Sequence, residues 1–215
     1  MKIGIDIDGV IADMARFMAD YGSKFCYENN IKYIIKDDEY DEAKALGITN
    51  EQAEKFWNTY LEFYACEYPV RDFACEVIKK LRENHEVYII TARNEYGLPP
   101  ETYGTMQSMV KKWLEDNEIE YDKLIFTKGS KLPYCLENEV DVMIEDSPKN
   151  VLDISTKVPV LCFDNPYNKM IEGKNITRVY SWYDILSKIE KILKKWYNYK
   201  RFTDTVKLER QHNFG

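Results

Sequence analysis

"IGIDIDGVIAD" occupies Ile3–Asp13. Ile3, Ile5 and Ile7 alternate with Gly4, Asp6 and Asp8, and Gly9 follows where a strand would turn. A period of two is the pattern of a β-strand, with successive side chains on opposite faces. On its own this stretch fits two readings. The aspartates are the solvent face of an ordinary amphipathic edge strand, or they stand at the open end of a buried strand and do chemistry there. The rest of the chain has to decide.

Outward from this strand, apolar residues at helical spacing (Met14, Phe17, Met18, Tyr21, Phe25) predict a helix within Ala12–Asn29. The acidic, irregular piece "KDDEYDEAKALG" follows. Asn50 is placed to cap a second helix carrying Phe56, Trp57, Tyr60, Leu61 and Tyr64. After Pro69 the rhythm changes. Helical patterns alternate with short strands rich in Val, Ile and Leu: "EVYIITAR", "KLIFT", "VDVMIEDS" and "VPVLCFD". That alternation predicts an α/β fold, a Rossmann-like parallel sheet with helices on both faces. The expected division is a core of residues 1–14 and 70–185, a small helical cap of 15–69 inserted after the first strand, and a C-terminal helix and tail over 186–215.

Composition narrows the function. The chain has 215 residues, 45% hydrophobic and 31% charged, with a formal net charge of -7. This suits a globular domain with one good core. It is a poor basis for binding nucleic-acid polymers, which rests on many Lys and Arg contacts to phosphate. Cys26, Cys66, Cys75, Cys135 and Cys162 are odd in number and form no CxxC pair, which fits reduced thiols in a cytoplasmic protein. No signal peptide is recognised, and no apolar run reaches the roughly 20 residues of a membrane span. The basic, aromatic run "SKIEKILKKWYNYKR" reads as a surface helix docking its apolar stripe (Ile185, Ile189, Ile192, Leu193, Trp196) on the core. Binding a partner, an anionic surface or a second subunit, the last giving a homodimer, is the alternative.

Polar residues gather where the strands end: Asp6, Asp8 and Gly9; Thr91, Ala92 and Arg93; Thr127 and Lys128, with Lys131 beyond; and Glu145, Asp146 and Ser147. In a parallel sheet these share one edge, where ligands bind. Clustered carboxylates repel unless a cation sits among them, and oxygen ligands suit Mg²⁺. An aspartate can attack phosphorus, while a lysine and Mg²⁺ neutralise the charge that develops. Each residue also has a plainer reading. Thr91 alone is a strand-end hydroxyl, Glu145 and Asp146 alone cap a helix, and the lysines alone are solvated.

Together these segments resemble the haloacid dehalogenase superfamily of phosphatases. "DIDGV" looks like that superfamily's first motif, "IITAR" its second, the Lys128–Lys131 region its third and "IEDSPKN" its fourth, in order and each after a strand. The resemblance implies that Asp6 is the nucleophile and Asp8 the general acid–base. It implies that Thr91 binds the phosphoryl group. The phosphate-binding lysine is Lys131, with Lys128 as the alternative. Mg²⁺ would be held by Asp6, by the backbone carbonyl of Asp8 and by Asp146, with Glu145 the next choice. An aspartate at position 8 favours phosphate esters, since dehalogenases lack it.

"DIDGVIAD" with a helical cap, "IEDSPKN" and "FDNPYN" resemble the 5′(3′)-deoxyribonucleotidase family and its bacterial relatives. This implies a small phosphorylated metabolite as partner, a nucleoside monophosphate first and a sugar phosphate second. Phe17 is expected to face the substrate and Gly9 to lie beside it. Ala92-Arg93 departs from the small residue and proline those enzymes tend to have, and Arg93 is expected to bind a second phosphate or a sugar acid. A catalytically idle relative that binds a phosphorylated ligand or a protein is the rival of another class.

Overall fold

The computed structural model describes residues 1–93 and 105–194. Six strands form one sheet: β1 (Lys2–Ile5), β2 (Glu86–Thr91), β3 (Lys123–Phe126), β4 (Val142–Glu145), β5 (Val160–Phe163) and β6 (Ile176–Val179), in the order β3-β2-β1-β4-β5-β6. Every neighbouring pair is parallel. The α/β Rossmann-like fold is therefore the one expected, with β6 as an additional edge strand.

Side chains sort by the period of two. Ile3, Ile5, Val87, Ile89, Val142, Ile144 and Leu161 belong to one apolar layer, and Tyr88, Ile90, Met143, Val160 and Cys162 to the other. The first layer is covered by α5 (Ala74–Arg82), α6 (Met106–Asp116) and a helix α9 over 182–194. The second is covered by α7 (Leu132–Glu137) and α8 (Pro148–Ile154). Strands buried on both faces are continuous apolar runs, which is why "VYII" and "VMI" carry no polar position. Trp182, Ile185 and Ile189 are buried and Ile192 and Leu193 packed beside them, so α9 docks its stripe on the core. Trp196 and the rest of the C-terminal tail lie outside the described residues.

Between β1 and α5 the chain is helical. Asp13 caps α1 (Met14–Phe17) by accepting the Arg16 N–H at 3.0 Å. The helix runs through a π-helical turn (Met18–Gly22) into α2 (Ser23–Glu28), and α3 (Glu42–Leu46) packs against that turn. The long α4 (Asn50–Cys66) starts with a capping box: Thr49 Oγ1 accepts from the Gln52 N–H, and the Gln52 side chain accepts from the Thr49 N–H. The cap residue is thus Thr49, not Asn50. Both types serve there, and Gln52 three positions on selects Thr49.

Candidate active site

The sheet order changes direction at β1: β2 and β3 lie on one side, β4, β5 and β6 on the other. Ligands of open α/β sheets bind at such a switch point, beyond the carboxyl ends of the strands. Register brings the acidic residues together there. Ile5 pairs with Ile144, and the Asp6 N–H donates to the Ile144 carbonyl at 3.0 Å, which sets Asp6 level with Glu145. Beyond Asp6 the chain folds back tightly, with the N–H groups of Val10, Ile11 and Ala12 all donating to the Ile7 carbonyl. Gly9 makes this turn at φ +79°, a left-handed conformation that glycine adopts freely. A Cβ on Gly9 would lie 1.8 Å from Asp146 Oδ2, so the turn and the fourth motif meet through a missing side chain.

Lys131, just ahead of α7, reaches into this edge. Its Nζ lies 2.6 Å from Asp6 Oδ1 and 2.8 Å from Glu145 Oε2, with all three side chains nearly or fully buried. Glu145 Oε1 accepts the N–H groups of Asp146 and Ser147, each at 3.1 Å. Both oxygens of Glu145 are therefore engaged, and it serves as the seat of Lys131 within the carboxylate group of Asp6, Glu145 and Asp146. Lys128 is exposed, and only its backbone N–H is tied, to the Tyr134 hydroxyl. Of the two lysines, Lys131 is the one brought to Asp6. Thr91 is buried at the end of β2, where its hydroxyl accepts the Arg93 N–H at 3.2 Å. Ala92 between them is exposed.

Arg93 is not placed as expected. Its side chain is only 6% exposed and turns to Asp8: Nη2 lies 2.6 Å and Nε 3.0 Å from Oδ1, and Nε 3.1 Å from Oδ2, while the buried Nη1 has no hydrogen-bond partner among the described residues. The guanidinium packs on the rings of Tyr64 and Trp113, 4.7 and 5.3 Å from their centroids. Tyr64, from α4, also donates its hydroxyl to Asp8 Oδ1 at 2.7 Å. Phe17 is a second correction. It is fully buried in a cluster with Tyr21, Phe56, Trp57, Tyr64 and Tyr68, the nearest ring centroid 4.4 Å away, and it does not line the cavity. Its hydrophobicity is used to pack the helices.

Two residues that the sequence reading left without a role stand at the site. Tyr167 donates its hydroxyl to Asp146 Oδ2. Asn165 donates to the Gly9 carbonyl at 3.0 Å and lies 3.4 Å from Asp146 Oδ2. Both belong to "FDNPYN", where consecutive turn-forming residues after a strand were the only signal.

The electrostatics point to a cation. Burial, then Glu145, push the carboxyls of Asp6 and Asp146 well above the usual carboxylate range, against the pull of Lys131. Burial disfavours the Lys131 ammonium, yet Asp6 and Glu145 hold its pKa above that of free lysine. For Asp8, burial opposes the charge, but the Arg93 guanidinium and the Tyr64 hydroxyl prevail and lower its pKa. With Asp8 paired to Arg93, three carboxylates (Asp6, Glu145, Asp146) face one ammonium, Lys131. Fully ionised, this group carries an excess of two negative charges, the charge of one divalent cation. Asp146 Oδ1 is buried and has no hydrogen-bond partner among the described residues. Oxygen ligands within 4.8 Å of one another and an orphaned carboxylate oxygen fit Mg²⁺.

A cavity of about 380 Å³ opens above this edge, between the sheet and the helical segment, with Asp8, Met18, Tyr40, Asp146 and Tyr167 in its wall. That volume falls within the range of small-molecule sites. Among the described residues, no helix is long and apolar enough to cross a membrane.

Residues 1–195 match the family model described as 5′ nucleotidase, deoxy (pyrimidine), cytosolic type C protein. A nucleotidase of Clostridium acetobutylicum is 30% identical over 199 residues, covering 91% of this chain and 96% of that protein. Among solved structures, a haloacid dehalogenase-like hydrolase of Streptococcus pneumoniae superposes with a TM-score of 0.59 at 12% identity, covering 87% of this chain and 97% of that one. A magnesium-bound superfamily hydrolase of Bacillus subtilis superposes at 0.50 with 12% identity, covering 86% and 96%. The chain belongs to the type C 5′-nucleotidase family of haloacid dehalogenase-superfamily phosphatases.

Proposed function

We propose that the protein hydrolyses nucleoside monophosphates, deoxyribonucleotides among them, with Mg²⁺ and through a phosphoryl group carried on Asp6. The observation that carries this reading is the convergence of Asp6, Asp8, Thr91, Lys131 and Asp146 on one sheet edge, with two uncompensated negative charges. Asp6 and Asp146 would hold the metal through their side chains and Asp8 through its backbone carbonyl. When bound, Mg²⁺ supplies positive charge to the phosphoryl oxygens and the attacking carboxylate.

The chain's own groups do the rest. An Asp6 oxygen attacks phosphorus, and the bond from phosphorus to the ester oxygen breaks. Asp8, entering this step protonated, gives its proton to the departing ester oxygen and is left as the carboxylate that Arg93 pairs. Its carboxylate then takes a proton from water, the water oxygen attacks phosphorus, and the bond to Asp6 breaks to release phosphate. Lys131 and the Thr91 hydroxyl hold phosphoryl oxygens, and Glu145 keeps Lys131 in place. Residues 15–69 act as a cap that closes one wall of the cavity over the sheet edge.

The cavity also speaks to the leaving group. Seven carboxylates line it against three cations. A second phosphate or a sugar acid would meet net repulsion there, while an uncharged nucleoside would not. The test is phosphate release from ribo- and deoxyribonucleoside monophosphates and sugar phosphates, with Asp6→Asn in parallel and with chelator added. The reading expects deoxyribonucleotides or ribonucleotides to stand out, an inactive variant, and restoration by Mg²⁺ alone. Turnover confined to sugar phosphates refutes the substrate assignment, and an active Asp6→Asn protein refutes the nucleophile.

A further inference from the structure

Asp8 is bound unevenly. Oδ1 accepts from Tyr64 Oη at 2.7 Å and from Arg93 Nη2 at 2.6 Å, and takes a share of the single Arg93 Nε–H at 3.0 Å. Among the described residues, Oδ2 receives only the other share of that Nε–H, at 3.1 Å. A carboxylate has about four lone-pair sites, so Oδ1 is saturated and Oδ2 keeps capacity to spare. The two donors come from different parts of the chain. Arg93 follows β2, and Tyr64 lies near the end of α4. They brace each other, since the guanidinium stacks on the Tyr64 ring and on Trp113 behind it. The clamp is therefore rigid, and it favours a carboxylate fixed in one rotation.

The geometry points to Arg93 and Tyr64 as positioning residues for Asp8 in the second half of the reaction, where they leave Oδ2 as the oxygen that takes the proton from the attacking water. This rests on the roles proposed above for Asp6 and Asp8. A general base must be ionised and must face its water in a fixed orientation, and an ion pair with a two-bond grip on the opposite oxygen meets both needs. Neither residue needs to touch the substrate. One hydroxyl thus ties helix α4 to Asp8.

The experiment uses an aryl phosphate, p-nitrophenyl phosphate, whose phenolate departs without a proton. The first half-reaction is then indifferent to Asp8, and only hydrolysis of the Asp6 phosphoryl group needs it. Tyr64→Phe keeps the ring and loses the hydroxyl; Arg93→Lys keeps the charge and loses the fork. General-base catalysis contributes roughly 10²–10⁴-fold, and losing part of its positioning is expected to lower kcat about 10-fold in Tyr64→Phe and more in Arg93→Lys. Because the slowed step follows release of the phenolate, KM should fall with kcat, leaving kcat/KM within about threefold of the parent. A burst of p-nitrophenolate near one equivalent per chain should precede the slow phase. A merely structural role would lower kcat/KM and give no burst, and that result overturns the proposal, as does an unchanged kcat in both variants. Melting curves show whether each variant is folded, and Tyr64→Phe carries the test if Arg93→Lys is not. The unmodified protein separates the two claims. If it hydrolyses the aryl ester but no nucleotide, the substrate assignment fails and the clamp is still judged by the ratios. If it hydrolyses no monoester, both fail.

Discussion

Lys131→Met should be among the most damaging single changes in the core, and the damage should be partly reversible by a second change. Among the described residues, Lys131 is the cation paired with Asp6 and Glu145, beside Asp146. Its side chain is 2% exposed, that of Asp6 7% and that of Glu145 0%, so water cannot take over its role. Methionine fills a similar volume without charge. Removing one partner of a buried ion pair costs about 3–5 kcal/mol, because the other is left uncompensated. In a domain of this size 1 kcal/mol shifts the melting temperature by about 2–4 °C, so the fall should be roughly 6–20 °C. Adding Glu145→Gln removes a negative charge along with the cation and leaves a carbonyl for the Asp146 and Ser147 N–H groups. That double variant should regain about 1–2 kcal/mol, since a neutral hydrogen-bonded group replaces an unpaired ion. Neither variant should turn over substrate. The assay is thermal and urea unfolding in chelator, repeated with saturating Mg²⁺. Mg²⁺ should raise the melting temperature of Lys131→Met by more than that of the parent, since it neutralises a larger excess of charge. A single variant that melts within about 2 °C of the parent in chelator, or a double variant no more stable than the single, would refute the reasoning.

Gly9→Ala should combine left-handed strain of about 1–2 kcal/mol with overpacking of about 1–3 kcal/mol against Asp146 Oδ2 and Tyr167 Oη. Unfolding in urea should show a loss of about 2–5 kcal/mol, and calorimetry weaker Mg²⁺ binding; unchanged stability would mean that the turn is looser than its contacts imply. Phe17→Leu, which keeps most of the buried volume, should cost less than about 1.5 kcal/mol and leave the KM for nucleotide within about twofold. A tenfold rise in KM would return Phe17 to the substrate's wall.

Strands β2 to β5 were legible because each is a short apolar run bounded by turn residues, and their order along the chain already implied a shared carboxyl edge. Strand β6 was not. Its "ITRV" carries Thr177 and Arg178, and the arginine is used to tie Asp164, Asn168 and Ile171 together at the sheet margin. An edge strand half open to water loses the apolar signature that marks a central one. The choice between Lys128 and Lys131 shows another limit. Three residues separate them, both follow the same strand, and only the fold tells that one is exposed and the other 2.6 Å from Asp6. Phe17 was misjudged for a related reason. Nearness in sequence to the Asp8 turn placed it at the mouth, but a helix turns about 100° per residue, and its side chain falls on the face that meets α4.

Arg93 teaches more, because its burial alone constrains what it can bind. A guanidinium that is 6% exposed needs an acceptor of its own within the protein, since desolvation without one costs several kcal/mol. The acceptor the structure provides is Asp8. A second phosphate on the substrate would find the Arg93 Nε and Nη2 already on Asp8 and could reach the unpartnered Nη1 only by entering a buried position. It would also have to enter a cavity already rich in carboxylates. The burial of Arg93 and the charge of the cavity thus both weigh against a bisphosphate here. It follows that replacing Arg93 should not convert the enzyme toward doubly charged substrates. Activity on the monophosphate should fall without any gain on a bisphosphate, and a gain would show that the guanidinium can leave Asp8 after all.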